Sequence, residues 1–196
     1  GIYFRCDPRN ECKFRPYRLG AGRAARGGYM GSGVLQVESR GELVYFTDVG
    51  PNRLVQVNSD RVRNFARSSQ VELGFIQEAP LFSWGVIADD FNRDGRDDLM
   101  VAQGALQNAP MNEYAGHFLA FLRQDEAGRF VTHADDVGLQ PYTPDDTDVV
   151  DVPYSARALL RADIDNDGFI DLIEMGMETR PRFHREVPLI GAAPRC

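Results

Sequence analysis

Two short stretches of the chain place acidic side chains at alternate positions. The first is Asp90-Phe-Asn-Arg-Asp-Gly-Arg-Asp-Asp98 and the second is Asp163-Ile-Asp-Asn-Asp-Gly-Phe-Ile-Asp171. Counted from the first aspartate, Asp90, Asn92, Asp94 and Asp98 fall at positions 1, 3, 5 and 9, as do Asp163, Asp165, Asp167 and Asp171. Position 6 is glycine in both, Gly95 and Gly168. Hard cations such as calcium gather six to eight oxygens at about 2.3 to 2.6 Å, and carboxylates alternating around a tight turn can wrap one ion. A glycine at position 6 permits the sharp reversal. The carbonyl oxygens of Arg96 and Phe169, at position 7, are the natural further ligands. Without a cation the clustered carboxylates repel one another. The expectation is two Ca2+ sites, each fixing a turn.

The second loop also fits a twelve-residue EF-hand, with Ile170 at position 8 and Glu174 at position 12 as a possible bidentate ligand. The first does not, having Asp97 and Val101 there. An EF-hand needs a helix on each side. The flanks Trp84 to Asp89 and Leu99 to Gln103 are instead short and β-like. The pattern argues against an EF-hand.

The elements around these loops repeat. Leu54-Val-Gln-Val-Asn-Ser-Asp-Arg-Val-Arg-Asn-Phe65 parallels Leu119-Ala-Phe-Leu-Arg-Gln-Asp-Glu-Ala-Gly-Arg-Phe130, each reading as a strand, a polar turn and a strand. A short apolar strand and then an aspartate loop follow each hairpin. An upstream copy, Gly33-Val-Leu-Gln-Val-Glu-Ser-Arg-Gly-Glu-Leu-Val-Tyr-Phe-Thr47, keeps both strands but has lost the aspartates. The expected division is a basic arm over 1–30, a degenerate repeat over 31–83, a repeat with loop 90–98 over 84–155, and a partial repeat with loop 163–171 over 156–196. The acidic insertion from Gln140 to Tyr154, with Asp145, Asp146, Asp148 and Asp151, reads as a solvated loop or a partner-binding edge.

Composition agrees with many strands and turns. There are 19 glycines and 11 prolines, and no apolar run approaches the roughly 18 to 20 residues of a membrane helix. The net charge of −7 conceals an arm with seven basic and two acidic side chains on a strongly acidic body. An acidic body argues against nucleic acid as partner, because phosphate neutralisation needs a cationic face. The cysteines Cys6 and Cys12 lie close enough to close a small loop in an oxidising compartment, leaving Cys196 free for another chain. His117, His133 and His184 show no zinc-ligand spacing to them.

The stretches Ala88-Asp-Asp-Phe-Asn-Arg-Asp-Gly-Arg-Asp-Asp-Leu-Met-Val-Ala102 and Arg161-Ala-Asp-Ile-Asp-Asn-Asp-Gly-Phe-Ile-Asp-Leu-Ile173 resemble FG-GAP/VCBS repeats, as in integrin α-subunit propellers. Tyr45-Phe-Thr-Asp-Val-Gly-Pro-Asn-Arg-Leu54 is similar to the VCBS repeats of the cartilage-acidic-protein/UnbV type. The resemblance covers about residues 30 to 180. It implies an all-β fold of β-propeller-like blades, calcium in the turn between the first two strands of a blade, and an extracellular or periplasmic location. Two and a half to three repeats are too few to close a propeller, so the expectation is an incomplete propeller or arc completed by other protein chains.

No Gly-x-Ser-x-Gly elbow, phosphate-cradling loop or His-Glu-x-x-His motif is present, so the reading is a non-enzymatic structural subunit or scaffold. The runner-up is an adhesion or carbohydrate-binding module presenting an exposed aromatic patch, for which Phe82, Trp84 and Tyr114 are candidates. A calcium sensor or hydrolase comes after both.

Overall fold

The computed structural model describes residues 2–7, 13–18, 28–37, 40–48, 52–57, 62–64, 82–104, 119–132, 156–176 and 181–184, with backbone alone at 2–7, 13–18, 62–64 and a few single positions. The described elements are all strands, and every pairing between them is antiparallel. No helix of the described residues is long and apolar enough to cross a membrane.

Within the basic arm, β1 (Ile2–Asp7) and β2 (Lys13–Arg18) pair as a hairpin, so the arm is not a plain extension. The aromatic residues Tyr3, Phe4, Phe14 and Tyr17 interrupt its charges and suit a strand. Three further sheets follow in chain order. The first joins β3 (Tyr29–Val37), β4 (Gly41–Asp48), β5 (Arg53–Val57) and β6 (Val62–Asn64). The second joins β7 (Phe82–Asp89), β8 (Asp98–Gly104), β9 (Leu119–Gln124) and β10 (Phe130–Thr132). The third joins β11 (Ala156–Ala162), β12 (Asp171–Gly176) and β13 (Arg182–His184). Each is a meander in which neighbours in sequence are neighbours in space. Both expected hairpins are present, as β5–β6 and β9–β10.

The sheets stack face to face. Leu35, Val37, Leu43, Tyr45 and Leu54 of the first sheet meet Leu99, Val101 and Phe130 of the second in one core. Ile87, Met100, Ala102 and Phe121 on the other face of the second sheet meet Ala156, Leu159 and Leu172 of the third in another. Alternate residues of β8 therefore serve opposite cores, because successive strand side chains point to opposite faces. This explains why Leu99-Met-Val-Ala102 is apolar without interruption: both of its faces are buried.

Close approach of the first strands needs glycine. A Cβ on Gly85 would lie 2.9 Å from the Leu159 nitrogen and 3.0 Å from Ala158 Cα, too near for a real side chain. The Gly-Pro-Asn-Arg turn is anchored at Asn52, which is buried. Its Oδ1 accepts from Asp48 N–H at 3.1 Å and its Nδ2 donates to Ser83 Oγ at 3.0 Å, joining the first two sheets.

Candidate metal centre

The two aspartate loops occupy the same place in consecutive sheets. Residues 90–97 connect β7 to β8 and residues 163–170 connect β11 to β12. Strands flank both loops, so the EF-hand alternative fails on its flanks. The corresponding connection of the first sheet, β3 to β4, is a short turn closed by Arg40 N–H on Val37 C=O at 3.0 Å, with Gly41 at φ 80°. It carries no aspartate, as the sequence indicated.

The internal wiring of the two loops is the same. Asp90 accepts Asp94 N–H on Oδ1 at 2.9 Å and Gly95 N–H on Oδ2 at 3.0 Å. Asp163 accepts Asp167 N–H on Oδ1 and Gly168 N–H on Oδ2, both at 3.0 Å. Position 3 repeats the match: Asn92 Oδ1 takes Asp94 N–H at 3.1 Å and Asp165 Oδ1 takes Asp167 N–H at 3.3 Å. At position 5, Asp94 Oδ1 takes Arg96 N–H at 3.0 Å and Asp167 Oδ1 takes Phe169 N–H at 2.9 Å. Position 6 is left-handed in both, Gly95 at φ 85° and Gly168 at φ 84°. Position 4 is also left-handed, Arg93 at φ 61° and Asn166 at φ 58°, which is uncommon for a non-glycine residue and far easier for asparagine. This scaffold turns the side chains of positions 1, 3 and 5 toward the inside of the turn.

The loops differ in how many carboxylates converge. In the second, one oxygen each from Asp163, Asp165 and Asp171 lie within 4.8 Å of one another. Two oxygens on one calcium ion are separated by up to about 5 Å, twice the metal–ligand distance, so this set fits a single such ion. Asp167 is not in that convergent group. Glu174, the possible position-12 ligand, is buried on β12 and bonded to His184 Nε2 at 2.9 Å, away from the triad. His184, read from sequence as isolated, thus has a carboxylate partner.

In the first loop Asp90, Asp94 and Asp98 do not form such a group. Asn92 replaces one carboxylate, and Asp94 Oδ2 is engaged by Asn92 Nδ2 at 2.9 Å and by the Arg96 guanidinium at 2.5 Å. Arg96 was expected to contribute only its carbonyl. Its side chain instead folds back over the loop, with Nε donating to Gln124 C=O at 3.2 Å. Yet Asp98 retains the mark of an incomplete site. It is wholly buried, its Oδ1 accepts Gln124 N–H at 2.8 Å, and its Oδ2 has no hydrogen-bond partner. Burial pushes this carboxyl from 3.8 up to about 6; the Gln124 amide opposes the shift, the Asp94 charge adds to it, the nearby Asn92 amide opposes it, and Asp90 adds to it. The Asn92 amide acts from outside hydrogen-bond geometry. A buried carboxylate oxygen without a donor is costly, and a cation in the loop would satisfy it.

The sequence reading missed Gln124. Buried at the end of β9, it donates from Nε2 to Gln36 C=O at 2.9 Å and to Asp97 C=O at 2.7 Å. Asp97 Oδ2 in turn accepts Gln36 N–H at 2.7 Å. The first loop is thereby tied to the first sheet. The loops also touch each other: the Arg93 guanidinium sits 3.7 Å from the Phe169 ring centroid, and Arg161 pairs with Asp89 beside the first loop. No signal in a single sequence marks such contacts.

Of the aromatic candidates, Trp84 is half-buried, donates from Nε1 to Gly104 C=O at 3.1 Å and lies under the Arg157 guanidinium at 3.8 Å. Phe82 is half-buried, while Tyr114 lies outside the described residues. Also outside them are the insertion 140–154, His117, His133, Cys12 and Cys196, together with the side chain of Cys6, and hence the expected disulfide. No family model matches the chain, and no curated protein matches its sequence. The FG-GAP/VCBS likeness rests on the loop and turn residues themselves.

Proposed function

We propose that the chain is a calcium-stabilised module of β-propeller-type blades, extracellular or periplasmic, that acts through protein–protein contacts as a structural subunit or scaffold. The observation that carries this reading is the duplicated loop: two connections at equivalent places in consecutive sheets share one hydrogen-bond pattern, and one gathers Asp163, Asp165 and Asp171 within 4.8 Å. The FG-GAP/VCBS likeness supplies the blade and the compartment, where free calcium is high enough for loops of modest affinity.

The residues fit calcium in chemistry as well as spacing. The donors are oxygens only, and the position-1 carboxylates already hold backbone amides that pre-shape the turn. Asp163, Asp165 and Asp171 would hold the ion in the second loop, with Asp167 and the Phe169 carbonyl as further ligands. In the first loop Asp90, Asn92, Asp94, Asp98 and the Arg96 carbonyl would do so, Asp98 supplying an oxygen that otherwise has no donor. We read these ions as structural because each loop binds its own backbone and the neighbouring sheet.

The test is calcium titration by calorimetry, with melts in calcium and in chelator. Binding to the native state alone stabilises by about 4 kcal/mol at a thousandfold excess over Kd. Replacing Asp163 and Asp171 together by asparagine should abolish the second site and most of this gain. Identical melting temperatures in calcium and chelator would overturn the reading.

A further inference from the structure

Because the sheets repeat, each face of one sheet has an equivalent in the others. The register aligns Ile87–Met100–Phe121 of the second sheet with Leu160–Ile173–Phe183 of the third, each a row of directly paired residues. In the second sheet that row is buried against the third, with Ile87, Met100 and Phe121 only 9%, 1% and 0% exposed. In the third sheet the same kind of row faces outward, Leu160 at 51% and Phe183 at 67% exposed, with Ile173 half-buried between them. Branched aliphatic and phenylalanine side chains here serve no hairpin or core that the described residues contain. They reproduce the row that already packs a following sheet.

The opposite end of the stack carries the complementary face. Val86–Val101–Ala120 of the second sheet packs on the first sheet. Its register equivalent in the first sheet is Val34–Val44–Val55, of which Val34 is 56% exposed. One molecule thus presents at one end the face that accepts a preceding sheet, and at the other the face that accepts a following one. Within the chain these two faces have already packed on each other twice.

We infer that a second copy of this chain docks head to tail, its Val34 face seated on the Leu160–Ile173–Phe183 row of the first. The contact continues the sheet-on-sheet interface that the molecule already uses. It is heterologous, so the rotation per sheet determines whether copies close into a ring or extend as a filament. An apolar face of this kind left exposed would be an association hazard for a monomer. The inference rests on the repeated-sheet part of the proposed function and not on calcium.

The test measures mass by sedimentation or light scattering on the 196-residue chain in calcium, over a hundredfold concentration range. A dimer or larger assembly is expected. Phe183→Asp and Val34→Asp should each give monomers, lowering the association constant by roughly 100-fold or more because a carboxylate would be buried unpaired. Mixed together, these two variants should form a one-to-one pair, since each keeps one sound face. Leu160→Asp is a second probe of the same row should Phe183→Asp fail to fold. Val131→Asp, 43% exposed on the middle sheet, should leave the assembly intact. A wild-type chain that is monomeric throughout would overturn the inference, as would a Val34→Asp variant that assembles normally or a mixture that fails to pair. Calcium titration of the same samples separates the claims. A monomer that binds calcium defeats only the docking, and an assembly indifferent to calcium defeats only the metal reading.

Discussion

Replacing Asp98 by asparagine should stabilise the protein without calcium and weaken it with calcium. The side chain is wholly buried, and its Oδ2 has no donor while Oδ1 takes the Gln124 amide at 2.8 Å. Its carboxyl is raised from 3.8 to about 6, chiefly by burial. Two pH units correspond to about 3 kcal/mol against the ionised form at neutral pH. Asparagine keeps the shape and the acceptor for Gln124, removes the charge, and offers an amide toward the carboxylates of Asp90 and Asp94. In chelator at pH 7 the variant should gain about 1 to 3 kcal/mol, or roughly 2 to 10 °C in Tm for a chain of this size. In saturating calcium it loses a ligand, and the ranking should reverse.

The pH dependence carries the same sign. A carboxyl whose pKa is raised on folding binds its proton more tightly in the native state. Its contribution is fully present below about 4 and is lost as pH rises through about 6. Wild type in chelator should therefore lose stability from this group between those values, and Asp98→Asn should not. Calorimetric scans at four combinations of pH and calcium measure both effects. A variant less stable than wild type in chelator, with calcium response undiminished, would refute the account of Asp98 as an incomplete ligand.

Gln124→Leu should cost about 2 to 3 kcal/mol, because the carbonyls of Gln36 and Asp97 lose a buried donor; denaturant unfolding reads it directly. Gly85→Ala should cost about 1 to 3 kcal/mol by forcing a Cβ against the backbone of Ala158 and Leu159, again by denaturant midpoint. Arg96→Ala should free Asp94 Oδ2 and tighten calcium at the first loop by roughly two- to fivefold, the scale of a part-exposed ion pair. That gain is measured by calorimetry in an Asp163→Asn background, where the first loop is read alone.

The sequence made the loops legible because cation binding needs particular residues at particular spacings, and that requirement is local. Gly95 and Gly168 were assigned a reversal and sit at φ 85° and 84°. Strand character was legible for the same reason. Period-two patterning placed Leu35, Val37, Leu43 and Tyr45 on one face, and they share one core. What was not legible depends on packing between sheets. Gln124 looks like any polar residue at a strand end, yet it is buried between the first loop and β3. Arg96 reads as a carbonyl donor, and only the folded loop shows its guanidinium turned back on Asp94. The hairpin in the basic arm was masked by charge, since Arg5, Lys13, Arg15 and Arg18 alternate with its β-forming residues.

The ninth-position aspartates show that one loop design performs two mechanical tasks. Asp171 Oδ2 accepts Ile164 N–H at 3.0 Å, so the second loop closes on its own turn. Asp98 is held by Gln124 from β9, and Gln124 and Asp97 both reach Gln36 on β3. Order imposed on the second loop is therefore felt by one connection, whereas order imposed on the first reaches the joint between two sheets. The first sheet meets its own need with a short turn at Gly41 and no acidic residue among its described positions. A longer connection brings backbone amides that require acceptors, the acceptors bring mutual repulsion, and repulsion creates the demand for a cation. The demand thus follows from the length of the connection and not from the sheet it joins.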